Sequence, residues 1–232
     1  MKELLKKVTP KFIINCYGRF LNNMKFQNLK TDEVFTKIYK SNHWTSIESI
    51  SGKGSEINQT SNLINELNKL IIDFNITSIL DIPCGDFNWM QKVNLENINY
   101  LGADIVEELI NQNKFKYEQS EKLKFCVLNL ISDPLPKCDL IIVRDCLVHL
   151  SNVDIKNAVQ NIKLSGAKYL LSTTFVNHKR NHDIVTGNWR AINLQEKPYN
   201  FSIPVLIINE NCTEDFGEYN DKSMALWEIG KL

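Results

Sequence analysis

From residue 78 onward, short apolar runs alternate with longer stretches of helical spacing, and this alternation constrains the fold more than any other feature. The apolar runs are Ser78–Ile82, Tyr100–Ala103, Lys124–Leu128, Leu140–Val143 and Tyr169–Thr173. Such a pattern predicts βαβ units and a mostly parallel α/β sheet with helices on both faces. Two further runs, Val205–Asn209 and Ser223–Ile229, predict an antiparallel hairpin that closes one edge of the sheet.

The length of 232 residues suits one main core. We expect a single α/β domain over residues 57–232, which begins with a helix from Ile57 to Phe74. Residues 1–56 form a predicted N-terminal extension that is helical at first and ends in a polar loop. Residues 175–202 separate the fifth strand from the hairpin, and a loop of that length in a compact domain is typical of a functional segment.

The charges balance, with 27 basic and 27 acidic side chains, so no overall field favours nucleic acid as a partner. Residues 1–30 hold seven basic residues and one acid, and within them apolar residues from Leu4 to Leu21 recur at helical spacing. This segment is either a cap on the domain or a peripheral contact of residues 1–25 with an anionic membrane. It lacks the apolar core of a signal peptide, so we expect a cytoplasmic protein, at most peripheral at the inner face of the membrane.

The turn after the first strand is Asp81-Ile82-Pro83-Cys84-Gly85-Asp86, and it predicts a ligand site. In open α/β sheets ligands bind beyond the carboxyl ends of the strands, and Gly85 allows a close approach to the backbone. A dinucleotide site would show several glycines here, whereas this turn has one glycine and two acids. Carboxylates at this position repel a pyrophosphate and suit a cation that carries an amino group and a sulfonium.

Polar residues also follow the next two strands. Asp104 ends the second strand, where an acid normally binds ribose hydroxyls, and Asn129 follows the third, where an amide can reach an adenine amine. Polar residues at three successive strand ends therefore predict a site for an adenosine-containing cation.

The segment Leu80-Asp81-Ile82-Pro83-Cys84-Gly85 resembles the first motif of the class I S-adenosylmethionine-dependent methyltransferases. The resemblance covers roughly residues 57–229. It implies a Rossmann-like seven-stranded sheet with an antiparallel last strand, S-adenosylmethionine as cofactor and S-adenosylhomocysteine as product. The cofactor residues expected on this basis are Trp44, Ser51, Gly52, Ser55, Asp81, Pro83, Cys84, Gly85, Asp86, Trp89, Asp104, Ile105, Asn129, Leu130 and Arg144.

A narrower resemblance, to a bacterial methyltransferase group associated with surface-polysaccharide biosynthesis, rests on four segments. These are residues 48–55, 83–90, 144–151 and 187–194. The resemblance implies a small-molecule or nucleotide- or lipid-linked glycan as methyl acceptor, with capsular O-methyl sugars or O-methyl phosphoramidate as products. It also favours a loop at residues 51–55 that covers the methionine end of the cofactor, the alternative being a flexible linker.

The candidate catalytic residues follow the fourth strand. Arg144 and Asp145 come directly after four apolar residues, which places them at the carboxyl edge of the sheet. His149 lies four residues further on and, as the side chain that titrates nearest neutral pH, is the predicted base for an acceptor hydroxyl. Asp145 either orients this ring or acts itself. The alternative is a histidine with a structural hydrogen bond.

The segment 175–202 is predicted to bind the acceptor. The expected residues are Asn177, Arg180, Asp183, Trp189 and Arg190 in this segment, and Thr174 directly before it. Arg180 and Arg190 suit a phosphate or carboxylate because a guanidinium can bind either one bidentately. A solvated loop with a packed Trp189 is the alternative. A divalent metal on His178, His182 and Asp183 is a weaker one, and we expect no metal.

Three other functions remain open at this stage. A nicotinamide-dependent dehydrogenase shares a similar fold, although the phosphate-binding glycines are missing. A protein or small-metabolite methyltransferase would use the same cofactor on another acceptor. A non-catalytic scaffold would keep the fold to bind a partner.

Overall fold

A computed structural model describes residues 24–232, apart from the side chain of Asp215. Its helices are α1 (Thr31–Lys40), α2 (Ile57–Asp73), α3 (Glu107–Lys116) and α4 (Asn152–Leu164). Its strands are β1 (Ser78–Asp81), β2 (Asn99–Asp104), β3 (Leu123–Val127), β4 (Leu140–Val143), β5 (Tyr169–Phe175), β6 (Leu206–Asn209) and β7 (Lys222–Glu228). Short 3₁₀ turns join several of them, including one at Leu147–His149.

The seven strands form one sheet in the order β3-β2-β1-β4-β5-β7-β6. The pairs among β1 to β5 are parallel, whereas β7 is antiparallel to both β5 and β6. Strand β7 pairs with β5 over its whole length, from Tyr169 opposite Glu228 to Phe175 opposite Lys222. The predicted Rossmann-like sheet with a closing hairpin is therefore confirmed.

The central strands are apolar throughout because both faces of the sheet are covered. Successive side chains of a strand point to opposite faces. Ile79 and Ile142 accordingly belong to the core that packs against α2, and Leu80 and Ile141 to the core that packs against α4. All four residues of β4 are fully buried. A continuous run such as Leu-Ile-Ile-Val is thus the expected sequence for this position.

Helix α1 lies over the 175–202 segment. Val34 and Ile38 on its buried face form a small core with Phe26, against which Val185 packs. Gly187 has φ +100° at this contact, and a Cβ there would lie 2.5 Å from Cγ1 of Val34. A glycine is thus required for the close approach. Helix α1 belongs to the N-terminal extension and was not predicted from the sequence.

Residues 1–23 fall outside the described part of the chain, so the amphipathic segment from Leu4 to Leu21 and its membrane contact stay predictions. Among residues 24–232, no helix has both the length and the apolar character needed to cross a membrane.

Candidate functional site

A cavity of about 1140 Å³, including its open mouth, lies at the carboxyl ends of β1, β2 and β4. Every predicted cofactor residue except Gly52 lines it, as do Asp145 and His149. Gly52 does not line the cavity but packs against Trp44, which does. Its φ of +100° and its missing side chain allow contact with Trp44, whose Cβ would lie 2.8 Å from an added Cβ. Trp44 itself faces the cavity.

Two buried carboxyl groups, Asp81 and Asp104, stand in the cavity wall. Oδ2 of Asp81 accepts a hydrogen bond of 2.7 Å from the Tyr100 hydroxyl. Asp104 accepts hydrogen bonds from the backbone N–H groups of Val106 at 2.9 Å and Gly85 at 3.3 Å. Burial raises the pKa of Asp81 to about 7 and that of Asp104 to about 6, since removal from water disfavours the charged form. A cationic ligand beside them would stabilise the ionised form of both carboxyl groups.

The loop before α2 is fastened to the β1 turn through Asp86. The carboxylate of Asp86 accepts hydrogen bonds from the Ser49 hydroxyl at 2.9 Å and the Ile50 N–H at 3.0 Å. Gly85 has φ +56°, and a side chain on it would overlap the Ser51 hydroxyl. Asp86 therefore holds this loop, residues 46–55 and called the covering loop below, in place, and Gly85 leaves the space that the loop needs.

A buried charge cluster, formed by Arg144, Asp145, Glu210 and Lys222, closes one side of the cavity. Nη2 of Arg144 lies 2.5 Å from Oε2 of Glu210, and Nη1 lies 3.2 Å from Oδ2 of Asp145. Lys222 Nζ donates to the same Asp145 oxygen at 2.7 Å and lies 3.6 Å from Glu210. Arg144 also donates to the Gly54 carbonyl at 2.7 Å, which fastens the covering loop at a second point.

The cluster fixes the ionisation of its members. Although burial opposes a charge on Asp145, Lys222 and Arg144 hold the pKa of its carboxyl well below the usual range. Likewise, burial lowers the pKa of Lys222, but Asp145 and Glu210 outweigh that effect and raise it. Sequence reasoning missed Glu210 and Lys222. The available signal was a charged residue at each inner end of an otherwise apolar hairpin.

His149 lies in the 3₁₀ turn after β4, half-buried beneath Trp44, with ring centroids 4.5 Å apart. Its Nδ1 lies 2.9 Å from the carbonyl oxygen of Asn188. A carbonyl only accepts, so Nδ1 carries the proton and Nε2 has the lone pair in the neutral ring. Burial lowers the pKa of His149 to about 4, against the opposing effects of the Asn188 carbonyl and Asp145. The ring is thus neutral near pH 7.

Asp145 does not have the orienting role that the sequence suggested. Its carboxylate is taken up by Lys222 and Arg144, and the partner of the imidazole is the Asn188 carbonyl. The backbone of Asp145 has φ +49°, and its N–H donates to the Thr173 hydroxyl at 2.8 Å. Both features turn the Asp145 side chain toward the hairpin that carries Lys222.

None of the predicted acceptor-binding residues lines the cavity. Thr174 accepts from the Leu194 N–H, Asp183 accepts from the Asn152 N–H, and the Asn177 N–H donates to Asp221. The ring of Trp189 packs edge-to-face against Phe175 and Tyr219, while Arg180 is exposed. Contact of Thr174, Asn177, Arg180, Asp183 and Trp189 with an acceptor stays a prediction.

The expected anion-binding role of Arg190 is wrong, because no donor remains for a ligand. Its side chain is 1% exposed. The five guanidinium N–H groups donate to five protein oxygens, namely those of the His182, Leu147 and Val148 carbonyls, the Asn152 amide and the Tyr199 hydroxyl. Arg190 thus joins the 175–202 segment, called the insert below, to the turn that carries His149.

Helix α1 adds a wall that sequence reasoning did not assign. Thr31, Phe35, Ile38 and Tyr39 line the cavity opposite the strand ends. Their spacing of three and four residues was the signal that could have revealed this face. Among the described residues, no group of three or more His, Cys, Asp and Glu side chains is placed to hold a metal ion.

No protein-family model matches the sequence, and no curated protein matches it. Solved structures do match the fold. The methyltransferase domain of bacterial CtHen1 aligns with TM-score 0.54 and 13% identity over 75% of this chain and 100% of that one. The fold is that of the S-adenosylmethionine-dependent methyltransferases.

Two further matches are complexes with S-adenosylmethionine. Human N-acetylserotonin methyltransferase aligns with TM-score 0.53 and 13% identity over 92% of this chain and 66% of that one. Magnesium protoporphyrin IX methyltransferase from Synechocystis PCC 6803 aligns with TM-score 0.51 and 15% identity over 67% of this chain and 81% of that one. At such identities the likeness shows a shared fold.

Proposed function

We propose that this protein is an S-adenosylmethionine-dependent methyltransferase that acts on a hydroxyl group. The observation that carries the proposal is the pair of buried carboxyl groups, Asp81 and Asp104, in the wall of one cavity with His149. Structures with the same fold bind S-adenosylmethionine, and the site is chemically suited to it. A cationic ligand offsets the cost of keeping two carboxylates ionised away from water.

Further residues fit the other parts of this cofactor. Asp104 follows β2, where a carboxylate accepts from ribose hydroxyls, and Asn129 follows β3 on the cavity wall. Nε of Arg144 is buried without a hydrogen-bond partner among the described residues, and it offers a donor to a carboxylate. Oε1 of Glu210 is likewise buried without a hydrogen-bond partner among the described residues. Within the part of the chain that the structure describes, the charge cluster therefore has one free donor and one free acceptor.

In the proposed mechanism, His149 is the base that accepts the proton of the acceptor hydroxyl. When bound, the cofactor supplies an electrophilic methyl group on a sulfonium. Nε2 of His149 has the lone pair that accepts the proton of an acceptor hydroxyl, since Nδ1 donates to the Asn188 carbonyl. Trp44 and the covering loop form part of the wall around this position, and the Asp86 and Arg144 contacts hold that loop in place. Alignment accounts for most of the rate in such a displacement.

For the acceptor, we propose a sugar hydroxyl or a sugar-linked phosphoramidate of a bacterial surface polysaccharide, presented as a nucleotide- or lipid-linked glycan. This part rests on the resemblance of the 48–55, 83–90, 144–151 and 187–194 segments. The charges of the cavity wall bear on it. Four carboxyl groups, those of Asp81, Asp86, Asp104 and Asp145, line the wall together with a single cation, Arg144, which is itself paired with Glu210. Of the two acceptors, a neutral sugar hydroxyl therefore fits near His149 better than the anionic oxygen of a phosphoramidate, and a nucleotide or lipid phosphate of the donor glycan fits outside the cavity.

The direct test is calorimetric titration with S-adenosylmethionine and with NAD, followed by detection of S-adenosylhomocysteine in the presence of candidate nucleotide-linked sugars. We expect binding of the first ligand alone, and weaker binding in Asp104→Ala. Binding of NAD instead would support a dehydrogenase. Binding without turnover on any acceptor, including small metabolites and peptides, would favour a scaffold.

A histidine variant tests the mechanism. His149→Ala should leave cofactor affinity intact and slow turnover by ~10²-fold or more, because it removes the base. His182→Ala is the matched control, since that side chain is exposed and lies outside the cavity. Normal turnover in His149→Ala would remove His149 from the role of base.

A further inference from the structure

The 3₁₀ turn that carries His149 is held from outside by the insert. The N–H of Gly187 donates to the His149 carbonyl at 2.9 Å, and the N–H of Arg190 donates to the Val148 carbonyl at 3.1 Å. Together with the contact between Nδ1 of His149 and the Asn188 carbonyl, three consecutive contacts join residues 187–190 to residues 148–149. The insert thus packs along the turn that presents the base.

The guanidinium of Arg190 reinforces the same turn. Its Nη1 donates to the carbonyls of Leu147 at 3.2 Å and Val148 at 3.0 Å. The Leu147 carbonyl also accepts the Leu150 N–H that closes the 3₁₀ turn, at 3.2 Å, so the guanidinium adds a second donor to it. The Val148 carbonyl receives both of its donors, the backbone N–H and the guanidinium, from Arg190. A charged donor in a buried position makes stronger hydrogen bonds than a neutral one. Arg190 therefore fixes the backbone from which the imidazole projects.

The remaining donors of Arg190 anchor it to two other elements. Nη2 donates to the Tyr199 hydroxyl at 2.9 Å and to Asn152 at the start of α4 at 3.3 Å. Tyr199 in turn donates to Asn152 at 2.7 Å. Nε donates to the His182 carbonyl at 2.9 Å. The guanidinium is thus buried and fully paired, as a support for a catalytic group requires.

We propose that Arg190 is a positioning residue: it holds the Leu147–His149 turn so that the Asn188 carbonyl fixes the imidazole with Nε2 free toward the cavity. This inference rests on the proposed function only for the role of His149 as base. The orientation of the ring itself is a property of the protein without any ligand. The predicted role of Arg190 changes accordingly, from contact with the acceptor to support of the base.

The test is NMR of the full-length protein labelled with ¹⁵N at histidine, in the native sequence, Arg190→Met and Arg190→Lys. In the native protein we expect one tautomer, with the proton on Nδ1. In Arg190→Met we expect a mixture of tautomers, together with a kcat about 10²-fold lower at an unchanged cofactor KM. Added guanidinium ion should restore part of that loss. Arg190→Lys cannot make the paired contacts, so it should not restore the native tautomer.

The matched control is Lys179→Met, which removes an exposed cation from the same insert. It should leave the tautomer and kcat unchanged. If Arg190→Met fails to fold, Tyr199→Phe provides the second variant, because it removes one acceptor of the guanidinium and should produce a partial mixture. An unchanged His149 tautomer in a folded Arg190→Met would overturn the inference. Absence of turnover in the native protein would contradict the proposed function alone, since the tautomer is measured without cofactor.

Discussion

A carboxyl group buried as fully as that of Asp81 disfavours its own charge, and this affects the stability of the chain. The pKa of Asp81 in the folded chain, about 7, lies above that of an unfolded chain. Between about pH 4 and pH 7 the folded state therefore keeps a proton that the unfolded state has lost. The contribution of Asp81 to stability falls as pH rises through this window. A cation bound beside Asp81 would offset that loss.

The affinity for S-adenosylmethionine should accordingly depend on pH. We expect a nearly constant dissociation constant above about pH 7.5 and weaker binding below pH 7, by up to about 10-fold per pH unit, because Asp81 must release a proton to face a cation. Calorimetry between pH 5.5 and 8.5 measures this. Asp81→Asn should bind more weakly and lose the step near pH 7. A flat profile in the native protein would contradict the argument.

At the residue scale, the sequence was informative wherever position along a strand decides the outcome. Asp81, Asp104 and Arg144 each end an apolar run, and parallel strands bring such ends to one edge. Glu210 lies 66 residues from Arg144, and Lys222 lies 77 residues from Asp145. Their pairing depends on how β7 is inserted between β5 and β6. No local pattern contains that information.

At the element scale, strand boundaries followed from the apolar runs to within a residue or two. Strand β4 was predicted at its observed bounds, Leu140–Val143, and the predicted hairpin is present as β6 and β7. The insert was harder to interpret. Its polar residues resemble a binding loop, but Asn181, Asn193 and Arg190 donate mainly to backbone carbonyls of the insert and of its neighbours. The degree of burial distinguishes a polar residue that binds a ligand from one that bonds the backbone. That burial cannot be read from the sequence alone.

The contact between the covering loop and the β1 turn can be tested through Gly85. Gly85→Ala combines a positive φ with overlap of the Ser51 hydroxyl, so we expect the loop to be displaced and cofactor affinity to fall by about 10-fold or more. Hydrogen exchange of residues 46–55 and calorimetry measure the two effects. Adding Ser51→Gly should recover the part that is due to overlap. Equal protection of the loop in all variants would contradict this account.

The hairpin can be tested through Lys222, whose side chain is 6% exposed. Lys222→Met leaves two carboxylates, Asp145 and Glu210, with one cation between them, and should cost about 3 kcal/mol of unfolding free energy. Urea denaturation measures this. The double variant Lys222→Met/Glu210→Gln restores the charge balance and should recover much of the loss. A single variant as stable as the native chain would show that the cluster adds little to stability.

At the scale of the whole molecule, elements from distant parts of the chain contribute residues to the cavity. Its walls come from α1, the covering loop, the ends of β1, β2 and β4, and the loop after β3. The cluster behind it adds the β6–β7 hairpin. A ligand there contacts parts of the chain that are far apart in sequence, so its binding energy should stabilise the protein as one unit.

We therefore expect one thermal transition that moves upward when S-adenosylmethionine is added. At 100 times its dissociation constant the ligand contributes about 2.7 kcal/mol, which corresponds to roughly 5–10 °C for a chain of this size. Differential scanning calorimetry measures the shift, and Asp104→Ala should show a smaller one at equal ligand concentration. A second transition that ignores the ligand would mean that part of the chain unfolds independently.

The charge cluster also has a consequence for how the protein is made. During synthesis Arg144 and Asp145 leave the ribosome well before their partners on the hairpin, which follow 66 and 77 residues later. Until Lys222 has emerged, the end of β4 carries charges whose buried partners do not yet exist. A chain that stalls or is cut before that point can form the early strands but leaves Arg144 and Asp145 without these partners. We therefore expect the end of β4 to reach its paired state only after residues 210 and 222 have been added.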